Sequence, residues 1–149
     1  MANVAKAAYL ESQRLPEGEE PGLEATRSYD PMRGTFAAGA SAAVVEVDPE
    51  TGAVTLRRYV CVEDAGTVYN PVIVDGQVAG AVAQGIAGAL FEQHVYDADG
   101  QLRTATLADY LMPSAAEVPS FVVDSTVTPS PSNPLGAKGV GESGIMGAA

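Results

Sequence analysis

A single cysteine, Cys61, excludes an internal disulfide and cannot by itself ligate an iron–sulfur cluster. Its place in the apolar run Tyr59-Val60-Cys61-Val62 suits a buried, inert thiol. The one histidine, His94, has no cluster of histidines or cysteines around it. That argues against a zinc site made of protein ligands and leaves His94 as a structural or surface residue. No Ser-His-Asp order is present to support nucleophilic catalysis, although Ser143 stands beside Glu142. Tryptophan is absent, and the aromatics amount to three Phe and six Tyr, so Ala and Val must fill most of the interior. Basic residues are also scarce: 8 Lys and Arg against 19 Asp and Glu give 8 − 19 = −11. Nucleic-acid binding, which needs cationic side chains on phosphates, is disfavoured. An anionic membrane surface would repel the chain for the same reason, and the charge reads as a matter of solubility. Residues 1–20 hold no apolar run of signal-peptide length. A cytoplasmic location is the resulting expectation.

What is present is the composition of a folded protein, 46% hydrophobic and 18% charged over 149 residues. A compact domain of that size buries roughly 68–70% of the surface its unfolded chain exposes. Residues 3–14 are rich in helix formers, with Asn3 as a candidate cap and Pro16 with Gly18 as the stop. The segment PEGEEPGLEATRSYDP reads as an extended surface connection. Residues 35–48 and 53–63 alternate as half-buried strands do, and Asp48-Pro49-Glu50-Thr51-Gly52 between them is a turn signal, so a long antiparallel hairpin is predicted. Pro71 opens a helix capped by Asn70. The segment 71–92 that follows is nearly uncharged and contains Gly76, Gly80, Gly85 and Gly88. Such glycines destabilise an exposed helix by about 0.8–1 kcal/mol each, so the segment is expected to be a helix with something packed tightly on its backbone. Asp75, Gln77 and Gln84 interrupt it and favour a buried helix over a membrane span. Another turn, Asp97-Ala98-Asp99-Gly100, is expected between short strands, and a further strand around Phe121 to Thr128. Pro129 to Gly136 forms a rigid loop that delivers the chain to Lys138-Gly139-Val140-Gly141-Glu142-Ser143-Gly144, where a helix can start.

That last segment draws the chemical interest. Glycines on either side of Val140 let backbone amides approach a ligand, and Lys138 adds charge. The order of a P-loop is not there. Taken alone, a glycine-rich turn with a solvated glutamate is the plainer reading. Glu142 nevertheless sits among Gly, Val, Ile and Met, where partial burial would raise its pKa and make it a usable base near neutral pH. Gln77 and Gln84, seven apart on a predicted helix, share one face. Their amides either hydrogen-bond a polar cofactor or satisfy neighbouring backbone.

In order, the runs GASAAVVEVDPETGAV, VEDAGTVYNPVIVDGQVAGAVAQGIAGALFE, LADYLMPSAAEVP and KGVGESG resemble the molybdopterin-binding large subunit of the xanthine dehydrogenase, aldehyde oxidase and aerobic carbon monoxide dehydrogenase family. The opening NVAKAAYLESQRLPEGEEPGLEAT resembles the interior of that subunit, so the likeness spans nearly the whole chain. It implies an α+β fold with a mainly antiparallel sheet and packed helices, belonging to a larger molybdenum-cofactor-binding domain. It implies that residues 1–149 are the C-terminal part of that domain, truncated at both ends. The cofactor implied is a molybdenum-pyranopterin, as molybdopterin or its cytosine dinucleotide, with no metal ligand from the protein. Iron–sulfur clusters and FAD are expected on partner subunits or domains.

By the same resemblance, Glu142 is the catalytic glutamate beside the metal that takes a proton while a carbon centre of an aldehyde or N-heterocycle is hydroxylated, or carbon monoxide is oxidised. Gln77 contacts the cofactor near the metal, and Lys138, Gly139, Val140 and Gly141 line the pterin. Gln84 matches a position of the family with no role beyond packing. The implied partners are the remainder of the molybdenum subunit, the iron–sulfur and FAD subunits and a small-molecule substrate. The implied activity is that of a molybdenum-dependent oxidoreductase within a larger complex, the chain alone being inactive. The alternative is a non-catalytic remnant or split-subunit partner. An apolar face left uncovered would make the chain prone to association.

Overall fold

The computed structural model describes residues 1–30 and 33–148, in two compact units that divide at residues 30 and 31. In the first unit the helix-forming run gives α1 (Ala2–Leu10), followed by a single 3-10 turn over residues 12–14. Asn3 lies inside the helix, and the N-cap position belongs to Met1 without a side-chain bond. Over residues 16–30 the proline- and glycine-rich segment carries no regular structure, and it folds back along the helix; its last residue, Pro31, lies outside the described residues. Gly22 donates to the Ala8 carbonyl at 2.9 Å, and the Tyr9 hydroxyl accepts the Leu23 amide at 3.2 Å. Glu11 receives both Lys6 (2.9 Å) and Arg14 (2.7 Å), which lower its carboxyl from the usual range.

In the second unit the predicted hairpin forms as β1 (Ala38–Val47) and β2 (Val54–Asp64), antiparallel, with a bulge between Val44 and Val45. Its turn closes for local reasons. The Asp48 carboxylate accepts the Glu50 amide and the Thr51 hydroxyl, each at 2.8 Å, and Gly52 takes a φ of 73° that other residues reach at a cost. Asn70 caps the next helix by accepting the Ile73 amide at 3.3 Å, and Pro71 begins α2 (Pro71–Leu90). By length and composition α2 could cross a membrane. Here it contributes Val78, Val82 and Ile86 to the core. The expected strand near residue 121 forms as β3 (Phe121–Thr126). It lies parallel to β2, because the chain returns to the sheet through a helix and enters it in the same direction. The sheet, ordered β1-β2-β3, is therefore mixed: the long pairing is antiparallel and the short one parallel. The fold is α+β, as expected.

Between α2 and β3 the turn at Asp97–Gly100 forms, flanked by a lone bridge between Tyr96 and Leu102 in place of short strands. After β3 and the proline-rich loop a single helical turn, α3 (Ser143–Met146), begins directly after Glu142. The core gathers where the second half of β2 meets α2 and the loop before α3: Tyr59, Cys61, Ala65, Val78, Val82, Ile86 and Val140. The half-buried alternation expected of both strands holds only there. Val44, Val45, Val47 and Val54, at the far end of the hairpin, are exposed.

Candidate functional site

The loop carrying Glu142 is held from below by an anchor at the end of β2. The Asp64 carboxylate accepts the amides of Gly66 (2.8 Å) and Thr128 (3.1 Å) and the Lys138 ammonium (3.1 Å), and the Asp64 and Lys138 side chains have little solvent access. The hydroxyl and amide of Thr128, the Gly66 amide and Lys138 hold the Asp64 carboxyl far below the usual carboxylate range. The Lys138 amide meanwhile donates to the Ala65 carbonyl at 2.9 Å. Two glycines make this crossing possible. Gly66 and Gly136 both have φ of 67°, and a Cβ on Gly66 would lie 2.2 Å from the Gly136 carbonyl oxygen. That oxygen accepts the Thr67 and Ser130 amides, each at 2.9 Å. Asn133 brackets Ala137 through both its amide nitrogen (2.9 Å) and its oxygen (3.3 Å).

Beyond Lys138 the chain rises over α2. Val140 drops into the core. Gly144 lies so close to α2 that a Cβ there would be 3.1 Å from the Val78 carbonyl oxygen and 3.2 Å from Ala81. Gly139, Gly141, Glu142 and Ser143 are left along an open cavity of about 750 Å³, with Gln84 of α2 and Thr35, Phe36 and Ala37 before β1 on its other walls. The Thr35 hydroxyl accepts the Gly139 amide at 3.4 Å.

The predicted site residues divide accordingly. Glu142 is exposed on the cavity wall, where the sequence suggested partial burial. Gln77 is brought to the glutamate loop: a Cβ on Gly141 would stand 3.1 Å from its Oε1. Gly139 and Gly141 line the cavity, whereas Val140 is a core residue and contributes backbone alone. The Lys138 side chain is engaged by Asp64 and does not line the cavity. Its positive charge is consumed in holding the loop, a part that nothing in the local sequence signalled. Gln84, taken from the resemblance as packing, lies on the cavity wall with Glu142. Thr35 to Ala37, which the sequence pattern places only at the start of a strand, also line the cavity. Cys61 is buried, and burial, with Glu63 adding to it, pushes its thiol above the ordinary range, consistent with an inert thiol. His94 stacks at an angle on Tyr110 with ring centres 5.2 Å apart. Among the described residues no cluster of three metal-binding side chains occurs.

The arrangement suits a polar cofactor held by backbone and amide groups. A Cβ on Gly139 would meet nothing within 4 Å, so this glycine leaves open space at the wall. The amides of Gly141 and Glu142 have no acceptor among the described residues. The volume lies within the range of small-molecule and cofactor pockets, roughly 300–1,000 Å³. The residues present fit a group that brings its own metal ligands and asks the protein for hydrogen bonds.

Comparison with known proteins gives these features a context. A family profile described as "Molybdopterin cofactor-binding domain" matches residues 1–119, ending before the glutamate loop. The carbon monoxide dehydrogenase large chain of Hydrogenophaga pseudoflava is 45% identical over 147 residues, covering 99% of this chain and 18% of that protein. The nicotine 6-hydroxylase large subunit of Paenarthrobacter nicotinovorans is 45% identical over 148 residues, with the same coverage of 99% and 18%. Among solved structures, the Cu,Mo-CO dehydrogenase in its carbon monoxide reduced state superposes with a TM-score of 0.85 at 41% identity, over 97% of this chain and 18% of that one. Quinoline 2-oxidoreductase from Pseudomonas putida 86 gives 0.83 at 45% identity, over 99% and 19%. The chain thus spans about a fifth of the length of the relatives it matches.

Proposed function

From the premise that the chain belongs to the molybdopterin cofactor-binding domain family, we propose that residues 1–149 are the C-terminal part of the molybdenum-cofactor domain of a hydroxylase large subunit and that Glu142 is its catalytic base. When bound, the molybdenum-pyranopterin supplies two-electron redox chemistry at carbon, which the side chains of this protein cannot provide. The observation carrying the proposal is the place of Glu142: a carboxylate on the wall of a cavity of about 750 Å³ that Gly139 and Gly141 also line, where the Gly141 and Glu142 amides have no acceptor among the described residues. A carboxylate so placed can accept a proton from a reacting group in the cavity. The Gly141 and Glu142 amides would donate to the cofactor, and Gln77, whose Oε1 lies close to Gly141, would offer its own amide. Lys138 and Val140 serve this site through the backbone they hold in place.

The substrate is a small molecule: an aldehyde, an N-heterocycle or carbon monoxide. Relatives are described as a large chain and a large subunit and are covered only to 18% of their length, which supports partner subunits and a remainder of the molybdenum subunit; iron–sulfur clusters and FAD on those partners are part of the proposal. The cofactor is either molybdopterin or its cytosine dinucleotide. The test is production of the chain together with that remainder and the partner subunits, with molybdenum content and substrate oxidation both measured. Glu142→Gln should keep the metal and lower kcat by about 10²–10⁴, the usual contribution of a general base. Full turnover by that variant would remove Glu142 from the mechanism.

A further inference from the structure

Next to the main cavity lies a smaller recess of about 240 Å³, sharing Ala37, Ser143 and Met146 with it. Glu63 forms one wall. It is only 4% exposed, and its Oε2 has no hydrogen-bond partner among the described residues. Its Oε1 is met only by the Cys61 thiol at 3.4 Å, a weak donor. The carboxylate lies flat over Gly39, where a Cβ would stand 2.4 Å from both oxygens. The other polar walls are Ser41 and Ser143. An ionised carboxylate accepts up to about four hydrogen bonds. A buried one left short of donors is costly unless a donor group arrives. Among the described residues none is supplied: Lys138, whose side chain is largely covered, is bound to Asp64.

We propose that the Glu63 recess binds an amidine-type edge, a planar group presenting two N–H donors to the carboxylate. Charge-assisted, two-point pairing supplies such a carboxylate with two of the donors it lacks, and a flat donor matches its geometry where a spherical ammonium would not. A metal ion is less suited, because no second carboxylate, histidine or thiolate completes a cluster of three there among the described residues. Two sources share this chemistry. One is an arginine guanidinium from a part of the longer polypeptide that the relatives span; the other is the aminopyrimidine edge of a pterin entering from the adjoining cavity. Glu142 does not line the recess, so the proposal stands or falls apart from its catalytic role.

The full chain, labelled with nitrogen-15, is titrated with methylguanidinium chloride and separately with pterin, against potassium chloride at matched ionic strength. Saturable shifts centred on Gly39, Ser41, Glu63 and Gly147 are expected from at least one compound. Glu63→Gln should weaken that binding roughly tenfold or more, the loss of a hydrogen bond to a charged group. Gly39→Ala keeps the carboxyl but pushes it aside, and should weaken binding in the same direction; thermal unfolding checks that both variants fold. A response to methylguanidinium alone assigns the recess to an arginine of the polypeptide, and one to pterin alone assigns it to the cofactor. Absence of saturation with either compound, shifts reproduced by potassium chloride, or undiminished binding by Glu63→Gln overturns the proposal.

Discussion

At Asp64, a single carboxylate gathers two loops and a strand end: it accepts from Gly66, Thr128 and Lys138, residues up to 74 positions away. Because these partners depress its folded pKa, the stability it contributes is fully present above the ordinary aspartate value of about 3.9. That stability is lost progressively as pH falls below this value toward the folded one. Urea unfolding midpoints followed from neutral pH down to about pH 2 should therefore fall more steeply in the wild type than in Asp64→Asn, whose side chain does not titrate. Equal acid limbs in the two proteins would show that Asp64 is not a net stabiliser. Lys138→Met should bring the midpoint down at neutral pH, since it leaves a carboxylate buried without its cation. None of this was legible locally. In the sequence Asp64 is one acid in the run Val62-Glu63-Asp64-Ala65-Gly66 and Lys138 a charge beside glycines; their pairing exists because β2 and the loop before α3 meet in space. Glu142, by contrast, was found through the ordered segments around it, while its exposure and the nearness of Gln84 depend on how α3 seats on α2.

Helix α2 shows the same division one level up. Its start was readable in full, because Asn70 and Pro71 act on the residues next to them. Its four glycines were alike in sequence and differ in the structure. A Cβ on Gly76, Gly80 or Gly88 would meet nothing within 4 Å, whereas one on Gly85 would stand 2.5 Å from Ala148 Cβ and 2.9 Å from the Ile145 carbonyl oxygen. The tight packing expected of the glycine-rich helix is thus concentrated at one position, against the turn that follows Glu142. Gly80→Ala should raise the free energy of unfolding by about 0.8–1 kcal/mol, the gain in helix propensity. Gly85→Ala should lower it by about 1–3 kcal/mol, because backbone and not a mobile side-chain tip must move to admit the methyl group. Urea denaturation of the two variants reads both signs, and stabilisation by Gly85→Ala would mean that α3 does not seat on α2 as described. The parallel pairing of β3 belongs to this scale too: alternation predicted a strand near residue 121, but direction is set by the helical crossover that precedes it.

On the scale of the molecule, the second unit buries its apolar side chains at one end of the sheet and leaves the other end uncovered. Val47 pairs with Val54 and Val45 with Leu56, so these four share one face of the hairpin; Val45, Val47 and Val54 are about half exposed, at 51%, 55% and 47%. β1 is also an edge strand, hydrogen-bonded within the unit only to β2. An uncovered apolar edge of this kind is a template for another strand or another chain. The net charge of −11 opposes association at low ionic strength, and salt screens that repulsion over about 8–10 Å at physiological concentrations. The chain by itself should therefore associate with rising concentration, more at 0.15 M salt than at about 0.01 M, where the Debye length is roughly four times longer. Val47→Lys places a charge on the uncovered face at the rim of the strand, the device by which natural edges avoid pairing. It should reduce the association seen by sedimentation equilibrium and change the unfolding free energy by no more than about 0.5 kcal/mol, as expected for an exposed site. If Val47→Lys leaves association unchanged, the contact lies elsewhere than the hairpin. Combination with the remaining polypeptide of a large subunit supplies the decisive comparison: a partner that covers this face should suppress self-association of the wild-type chain and bind Val47→Lys less tightly.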